Sequence, residues 1–162
     1  MKSLSIAVLG VMLAAPLWAH GTEEHDMHHP EGVIHVHEAY ARVNGTKSGA
    51  IFFMIHNNTE VDDRLIGASS DVAQKVELHS HEQSSDGVMR MVHLEEGIAL
   101  PWGEMHSLER GGDHVMLMGL TRELKEGETF TLTLDFEKHE DLVVEVVVDN
   151  TRQAGASEHS HH

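Results

Sequence analysis

The chain has 162 residues, with 27 acidic side chains against 11 basic ones, and a formal net charge of −16 when histidine is counted as neutral. This charge argues against nucleic acid and anionic membrane surfaces as partners. The chain contains 16 His and 9 Met but no Cys, which excludes a disulfide, a thiolate metal site and a blue-copper centre, since the last requires a Cys ligand.

Residues 1–19 have the pattern of a secretory signal peptide. Lys2 precedes an apolar stretch from Leu4 to Leu17, and Ala19 supplies a small residue before the predicted cleavage point. The alternative is a membrane anchor, but the stretch is shorter than the ~20 apolar residues of a bilayer span. We expect export to the periplasm without membrane insertion. Loss of Lys2 with the signal would change the net charge from −16 to −17.

Two His-rich segments, residues 20–32 and 150–162, flank the body and are predicted to be flexible. The alternative is solvated low complexity or an expression remnant. If cleavage follows Ala19, His20 would offer an α-amine and an imidazole to Cu(II), whose tetragonal geometry favours nitrogen donors. The predicted auxiliary Cu(II) ligands of the two segments are His20, His25, His28, His29, His159, His161 and His162.

The body, residues 33–149, has the pattern of consecutive short strands. Apolar and β-branched runs separated by polar turns occur at 33–43, 49–57, 64–69, 75–81 and 87–94, and continue through IALPW, EMHSLE, HVMLMGL, TFTLTLDF and LVVEVVVD. A Gln-Ser-Ser-Asp-Gly turn predicts that the fourth and fifth runs form a hairpin. About nine strands with weak helical periodicity predict an all-β, antiparallel Greek-key sandwich or barrel. At residues 70–75 a turn of helix is the alternative.

Three of these strands carry soft metal donors two residues apart. Because side chains alternate along a strand, the donors of each run share one face, opposite apolar residues such as Leu78 and Val115. Thioether sulfur and neutral imidazole suit Cu(I), a soft ion. A single Met or His is more simply explained as core filler or surface residue, so we expect about four ligands and assign Met54 and Met118 to the core. The candidates are His79, His81, Met89, Met91, His114, Met116 and Met118.

These runs resemble the periplasmic Cu(I) chaperones of the PCuAC family, which are associated with assembly of the CuA centre. The resemblance covers residues 39–148 and is carried by AYAR, GAIFFMIHNN, DRLIGASS, VELH, GVMRM, EGIALPWGE and GGDHVMLMGL. It implies a cupredoxin-like fold and one Cu(I) bound by His79, Met91, His114 and Met116.

Both intervals between the implied ligands are about one residue longer than is usual in that family, and loops absorb such insertions easily. His81 therefore remains a rival to His79, which is preferred because Val-Glu-Leu precedes it. Met89 is a weaker rival to Met91.

The resemblance implies metal exchange rather than catalysis. We expect a monomer that passes copper to a subunit of cytochrome c oxidase or to a Sco-type protein. One alternative is a copper or zinc buffering or tolerance protein. Another is an oxygen-activating copper enzyme that combines His20 with His106 or His139.

Overall fold

A computed structural model describes residues 32–153, and these form ten β-strands and no helix. The predicted signal peptide at 1–19, residues 20–31 of the first His-rich segment and residues 154–162 of the second lie outside the described residues. No helix within 32–153 is long and apolar enough to cross a membrane. The strands are β1 (Val33–Asn44), β2 (Ser48–Asn58), β3 (Asp63–Ser69), β4 (Ala73–Gln83), β5 (Met89–His93), β6 (Ile98–Leu100), β7 (Met105–Leu108), β8 (His114–Leu120), β9 (Thr129–Phe136) and β10 (Leu142–Val148).

The strands follow the sequence prediction closely, with one exception. The proposed hairpin is present, since β4 and β5 pair antiparallel from His79↔His93 to Gln83↔Met89. The helical turn considered for residues 70–75 is wrong. A short turn at residues 71–72 leads directly into β4, because Val72 and Ala73 are drawn into the core, where they are 2% and 9% exposed.

The strands hydrogen-bond in the order β5-β4-β8-β2-β1-β10-β9-β3-β6, while β7 pairs with the second half of β2 beside β8. The all-β prediction is confirmed, with two refinements. β1 and β10 pair parallel, so the sheet is mixed. Its two ends, β5 and β6, do not pair with each other, so it is open rather than a closed barrel.

A single hydrophobic core joins strands that are far apart in this order. Ile51 of β2, Leu65 of β3, Val115 of β8, Leu132 of β9 and Val146 of β10 are all fully buried in one cluster. Since these strands span the sheet, the sheet must curl around the core and leave its other face outward. That outer face carries the donor side chains.

The assignment of Met54 and Met118 to the core is wrong. Both are half-buried and belong to the outer face, because their strand neighbours Phe53, Ile55 and Leu117 point inward and are 2%, 0% and 0% exposed. Strand alternation therefore overrides the apolar setting of these two methionines.

Asp63 ties the start of β3 to the chain that follows β9. Its carboxylate is buried and accepts the backbone N–H groups of Arg64, Lys138 and His139 at 2.7–3.1 Å, while His139 Nδ1 lies 2.5 Å from Oδ2. Burial raises the pKa of Asp63, but these donors together outweigh it and hold the pKa below the usual range. The folded carboxylate is therefore stabilised by its donors.

The last described residues are attached to β1. The side-chain Oδ1 of Asn150 accepts the N–H of Val43 at 2.8 Å. The guanidinium of Arg152 lies 4.6 Å from the Tyr40 ring centroid and pairs with Glu38. The folded body thus extends past residue 149, the end expected from the sequence.

Candidate metal centre

The three donor strands are consecutive in the sheet, with β4 between β5 and β8. His79 lies in a row of three imidazoles, directly opposite His93 of β5 and His114 of β8. His81 lies directly opposite Met91. Residues opposite each other on adjacent strands have Cβ atoms about 5 Å apart on the same face, so the strands bring the predicted donors together.

One cleft on the outer face collects four of these donors. We call it the donor cleft; it is open to solvent and has a volume of about 920 Å³. Met91 and Met116 lie on its wall with His81 and His114, and Phe52, Ala50 and Arg42 continue the wall along β2 and β1. Two imidazoles and two thioethers therefore face one space that an ion can reach from outside.

His114 is held in an orientation suited to a ligand. Its Nδ1 donates to the carbonyl oxygen of Gly112 at 3.0 Å, so in the neutral ring Nε2 carries the lone pair. The Phe52 ring lies 6.1 Å away, centroid to centroid, and His114 is only 2% exposed. Burial lowers its pKa, and the nearby His81 and His79 lower it further although the Gly112 bond opposes this. The lowered pKa favours the neutral ring of His114, the form that binds metal.

The structure separates the two candidates for the first histidine ligand. His81 lines the donor cleft, and its ring stacks on that of His114 with centroids 5.2 Å apart and planes 27° apart. The His79 ring is 6.0 Å from His114, nearly edge-on, and is not part of the cleft wall. Each has a buried Nδ1 atom without a hydrogen-bond partner.

His79 is linked to two charged residues on β4. Its Nε2 atom lies 2.9 Å from a Glu77 carboxylate oxygen, and Glu77 also pairs with Lys75. The hydrogen bonds from Lys75 and His79 lower the pKa of Glu77 to about 2. A carboxylate partner of this kind orients an imidazole, so Glu77 fixes the His79 ring on the row next to His81. Sequence reasoning missed Glu77 and Phe52, although strand alternation puts both on the donor face.

The two methionines of β5 differ in what they face. Met91 is 47% exposed and lies opposite His81, whereas Met89 is 54% exposed and lies opposite Gln83 near the turn. Met116 of β8 is half-buried and lies between Glu77 and Ala50. Met89 therefore has no imidazole opposite it, while Met91 has one.

Other predicted histidines are engaged elsewhere or lie outside the description. His106 Nε2 is 2.9 Å from an Asp113 carboxylate oxygen, and His139 is bound to Asp63. His20 and the other proposed Cu(II) ligands of the termini lie outside the described residues. Within residues 32–153 no three or more His, Cys, Asp or Glu side chains form a group that could hold a metal ion, so the donor cleft can offer three or more ligands only by including thioethers.

Comparisons with known proteins connect the chain to a family named for putative lipoproteins. A family model described as "Putative lipoprotein LpqE-like" matches residues 34–148. The protein named "Putative lipoprotein Lxx21020" of Leifsonia xyli subsp. xyli is 30% identical over 103 residues, which cover 64% of this chain and 61% of that relative. The chain thus spans about three fifths of the length of this relative.

Solved structures connect the same fold to copper. The copper-bound PCuAC domain from PmoF2 is similar with a TM-score of 0.60 and 23% identity, covering 75% of this chain and 96% of that domain. Cu(I)-bound DR1885 from Deinococcus radiodurans is similar with a TM-score of 0.57 and 29% identity, covering 75% and 80% of the two chains. The resemblance to PCuAC proteins and the cupredoxin-like fold class are confirmed by these matches.

Proposed function

The chain belongs to the LpqE-like family, and from this premise we propose that it is a copper chaperone, which holds one Cu(I) ion in the donor cleft and releases it to another protein. The observation that carries the proposal is the meeting of two imidazoles and two thioethers at one cleft. Thioether and imidazole ligands suit a soft monovalent ion. The related DR1885 is described in its Cu(I) form, which supports the same oxidation state here.

We assign the ligands as His81, Met91, His114 and Met116, with His79 as the alternative first ligand. The resemblance to the family favours His79, because Val-Glu-Leu precedes it. The register favours His81, which is opposite Met91 and stacks on His114. His79 could bind through Nδ1 while Glu77 holds Nε2, the arrangement common among metal-bound histidines.

This ligand set favours transfer over permanent retention. Four neutral ligands leave the charge of the ion uncompensated, and thiolates bind soft metals more strongly. Met91 is 47% exposed, so an incoming ligand can approach while the histidines still hold the ion. The proposed recipient is a thiol-bearing copper acceptor, either an assembling cytochrome c oxidase subunit or a Sco-type protein. The proposed protein is a carrier and not an enzyme.

The proposed location is the periplasm, after removal of residues 1–19. The lipoprotein names of relatives support an envelope location. The route to the envelope proposed for this chain is the signal peptide at residues 1–19.

Anaerobic Cu(I) binding against a chromogenic competitor tests the ligand assignment. Met91→Ala should weaken binding by at least tenfold, roughly the minimum cost of disturbing a metal site. The matched control is Met89→Ala, which removes a similarly exposed methionine two residues away on the same strand. This change should leave the Cu(I) affinity unchanged. His81→Ala and His79→Ala, measured together, identify the first histidine. Binding that is indifferent to Met91→Ala and Met116→Ala would refute the donor cleft as the Cu(I) site.

Transfer to a thiol-bearing acceptor tests the carrier role. Loaded protein mixed anaerobically with a peptide that carries two cysteines should give up its Cu(I) completely. In a separate experiment without the peptide, loaded protein supplied with air and a reductant should not consume oxygen. Retention of copper against excess peptide would contradict a carrier. Oxygen consumption catalysed by the loaded protein, and lost on changing His20, would instead support the enzyme alternative.

We further propose that the His-rich termini capture Cu(II). Changing His20 and deleting residues 154–162 should lower Cu(II) uptake and leave Cu(I) binding intact. The deletion begins at 154 so that Arg152 keeps its contacts with Tyr40 and Glu38. Simultaneous loss of Cu(I) binding would contradict a separate role for the termini.

A further inference from the structure

A second group of soft donors crosses the sheet at the far end of β2. His56 of β2 lies directly opposite His35 of β1 on one side and Met105 of β7 on the other. We call these three residues the second donor row. The adjoining row has Met54 opposite His37, and the His35 and His37 rings stack with centroids 6.1 Å apart.

The second donor row lies on the outer face, not in the core. The residues that alternate with it, Ile34 and Ile55, are 9% and 0% exposed and belong to the core. Met105 is 56% exposed, while His35 and His56 are half-buried. A methionine this exposed fills no space in the interior, so packing in the core does not explain a thioether opposite His56.

The second donor row is separate from the donor cleft. Ala50 of β2 lies opposite Met116, and His56 follows six positions later on the same strand, which corresponds to about 20 Å at the usual strand rise. Phe52, which packs against Tyr40 and His114, lies between the two. β2 thus borders Met116 of the donor cleft at its first end and carries His56 near its other end, with the aromatic ring of Phe52 between them.

Backbone contacts hold the three strands of the row together. Asn57, next to His56, donates its N–H to the Glu104 carbonyl at 3.0 Å and accepts the N–H of Gly103 at 2.7 Å. These bonds attach the segment before Met105 to the end of β2. The relative position of Met105 and His56 is therefore set by the fold rather than by their side chains.

We propose that His35, His56 and Met105 form a second binding site for a soft monovalent d10 cation, Cu(I) or Ag(I), with Met54 as a further donor. Two nitrogens and one thioether satisfy an ion of low coordination number, whereas zinc and calcium sites draw on carboxylates, thiolates or more nitrogens. The net charge of −16 concentrates cations at the surface. The proposal stands on the register of β1, β2 and β7, and does not depend on the donor cleft.

Methionine-methyl NMR of the full chain with Ag(I) tests this site. The chain is labelled at its Met methyl carbons and carries Met91→Leu and Met116→Leu, which disable the donor cleft. Met105→Leu and Met54→Leu assign the two signals of interest. The Met105 methyl resonance should shift on addition of Ag(I), and the combined change His35→Ala and His56→Ala should abolish that shift.

Met118 provides the matched control, because it is a half-buried methionine on the same face with Lys75 and Ser48 opposite it instead of imidazoles. Its methyl resonance should stay in place. A Met105 resonance that does not move at saturating Ag(I), in a spectrum that shows a folded protein, would overturn the proposal. A shift that persists without both histidines would also overturn it, since Met105 would then be a lone surface thioether.

Discussion

Replacing Asn57 should destabilise the domain strongly, because its side chain makes four hydrogen bonds in the interior. Asn57 is fully buried. Its Nδ2 donates to the carbonyl oxygens of Leu100 and Val61 at 2.7 and 2.9 Å. Its Oδ1 accepts from the hydroxyl and the N–H of Thr59 at 2.6 and 3.1 Å. The amide thus joins the end of β2, the loop after it and the end of β6.

The cost follows from the number of bonds. At about 1 kcal/mol of net stability per buried hydrogen bond, Asn57→Ala should lower the free energy of unfolding by about 3 to 4 kcal/mol. At about 4 °C per kcal/mol for a domain of this size, the melting temperature should fall by roughly 12 to 16 °C. Urea denaturation and thermal melting, both followed by circular dichroism, measure these quantities.

Asn57→Asp distinguishes this explanation from simple loss of packing. The aspartate keeps the acceptor for Thr59 but puts an oxygen against the carbonyls of Leu100 and Val61, so at pH 7 it should be at least as destabilising as alanine. Its folded pKa should be raised, so its stability relative to the alanine variant should increase as the pH falls. Asn44→Ala, at an exposed asparagine of β1, should change stability by less than about 0.5 kcal/mol. An aspartate variant as stable as the parent would refute the reasoning.

Three further changes test other parts of the molecule. Asp63→Asn should lower the free energy of unfolding by about 1 to 2 kcal/mol at pH 7. Because the folded pKa of Asp63 is depressed, the carboxylate's contribution to stability is present above about pH 4. The difference in stability between parent and variant should vanish as the pH falls through the folded pKa, as denaturation at a series of pH values would show. Gly97→Ala should lower the free energy of unfolding by more than about 3 kcal/mol, since φ is +74° and an added Cβ would lie 2.1 Å from the carbonyl oxygen of Leu65. Equal melting temperatures of parent and variant would contradict this contact. His114→Asn retains a donor for the Gly112 carbonyl but lacks Nε2, so Cu(I) competition should show at least a tenfold loss of affinity with an unchanged fold.

The sequence predicts the donor face well because strand alternation is a local property. Leu78 and Val115 are buried, and the donors that alternate with them share the opposite face, as expected. The β4–β5 hairpin is also local, since a short turn that contains Ser-Ser-Asp-Gly connects its two strands. Neither inference requires knowledge of distant pairing.

Long-range pairing is what the sequence does not disclose. β8 lies between β4 and β2, and β1 pairs parallel with β10 about a hundred residues later. The second donor row depends on this, because His35 and Met105 come to flank His56 only when β1 and β7 both pair with β2. The apolar neighbours of Met54 suggest a place in the core, although alternation with the buried Phe53 and Ile55 places Met54 on the outer face of the sheet.

The choice between His79 and His81 has a similar cause. Because His79 and His81 share one face of β4, a change of the hairpin register by two residues would bring the other histidine opposite Met91. The register of a hairpin is set by its turn, so the histidine that meets Met91 depends on the conformation of the turn. In the structure that histidine is His81. Sequence similarity could not specify this, because the turn is where the chain departs from the usual spacing.

The position of β5 at the end of the sheet has a consequence for kinetics. Among the strands within residues 32–153, this five-residue strand pairs only with β4, so its opening leaves the rest of the sheet intact and needs much less free energy than global unfolding. Its amide protons should accordingly exchange with solvent faster than those β4 shares with β8. If Met91 binds copper, the lifetime of the bound ion is set by the fraying of one short edge strand rather than by the stability of the whole domain.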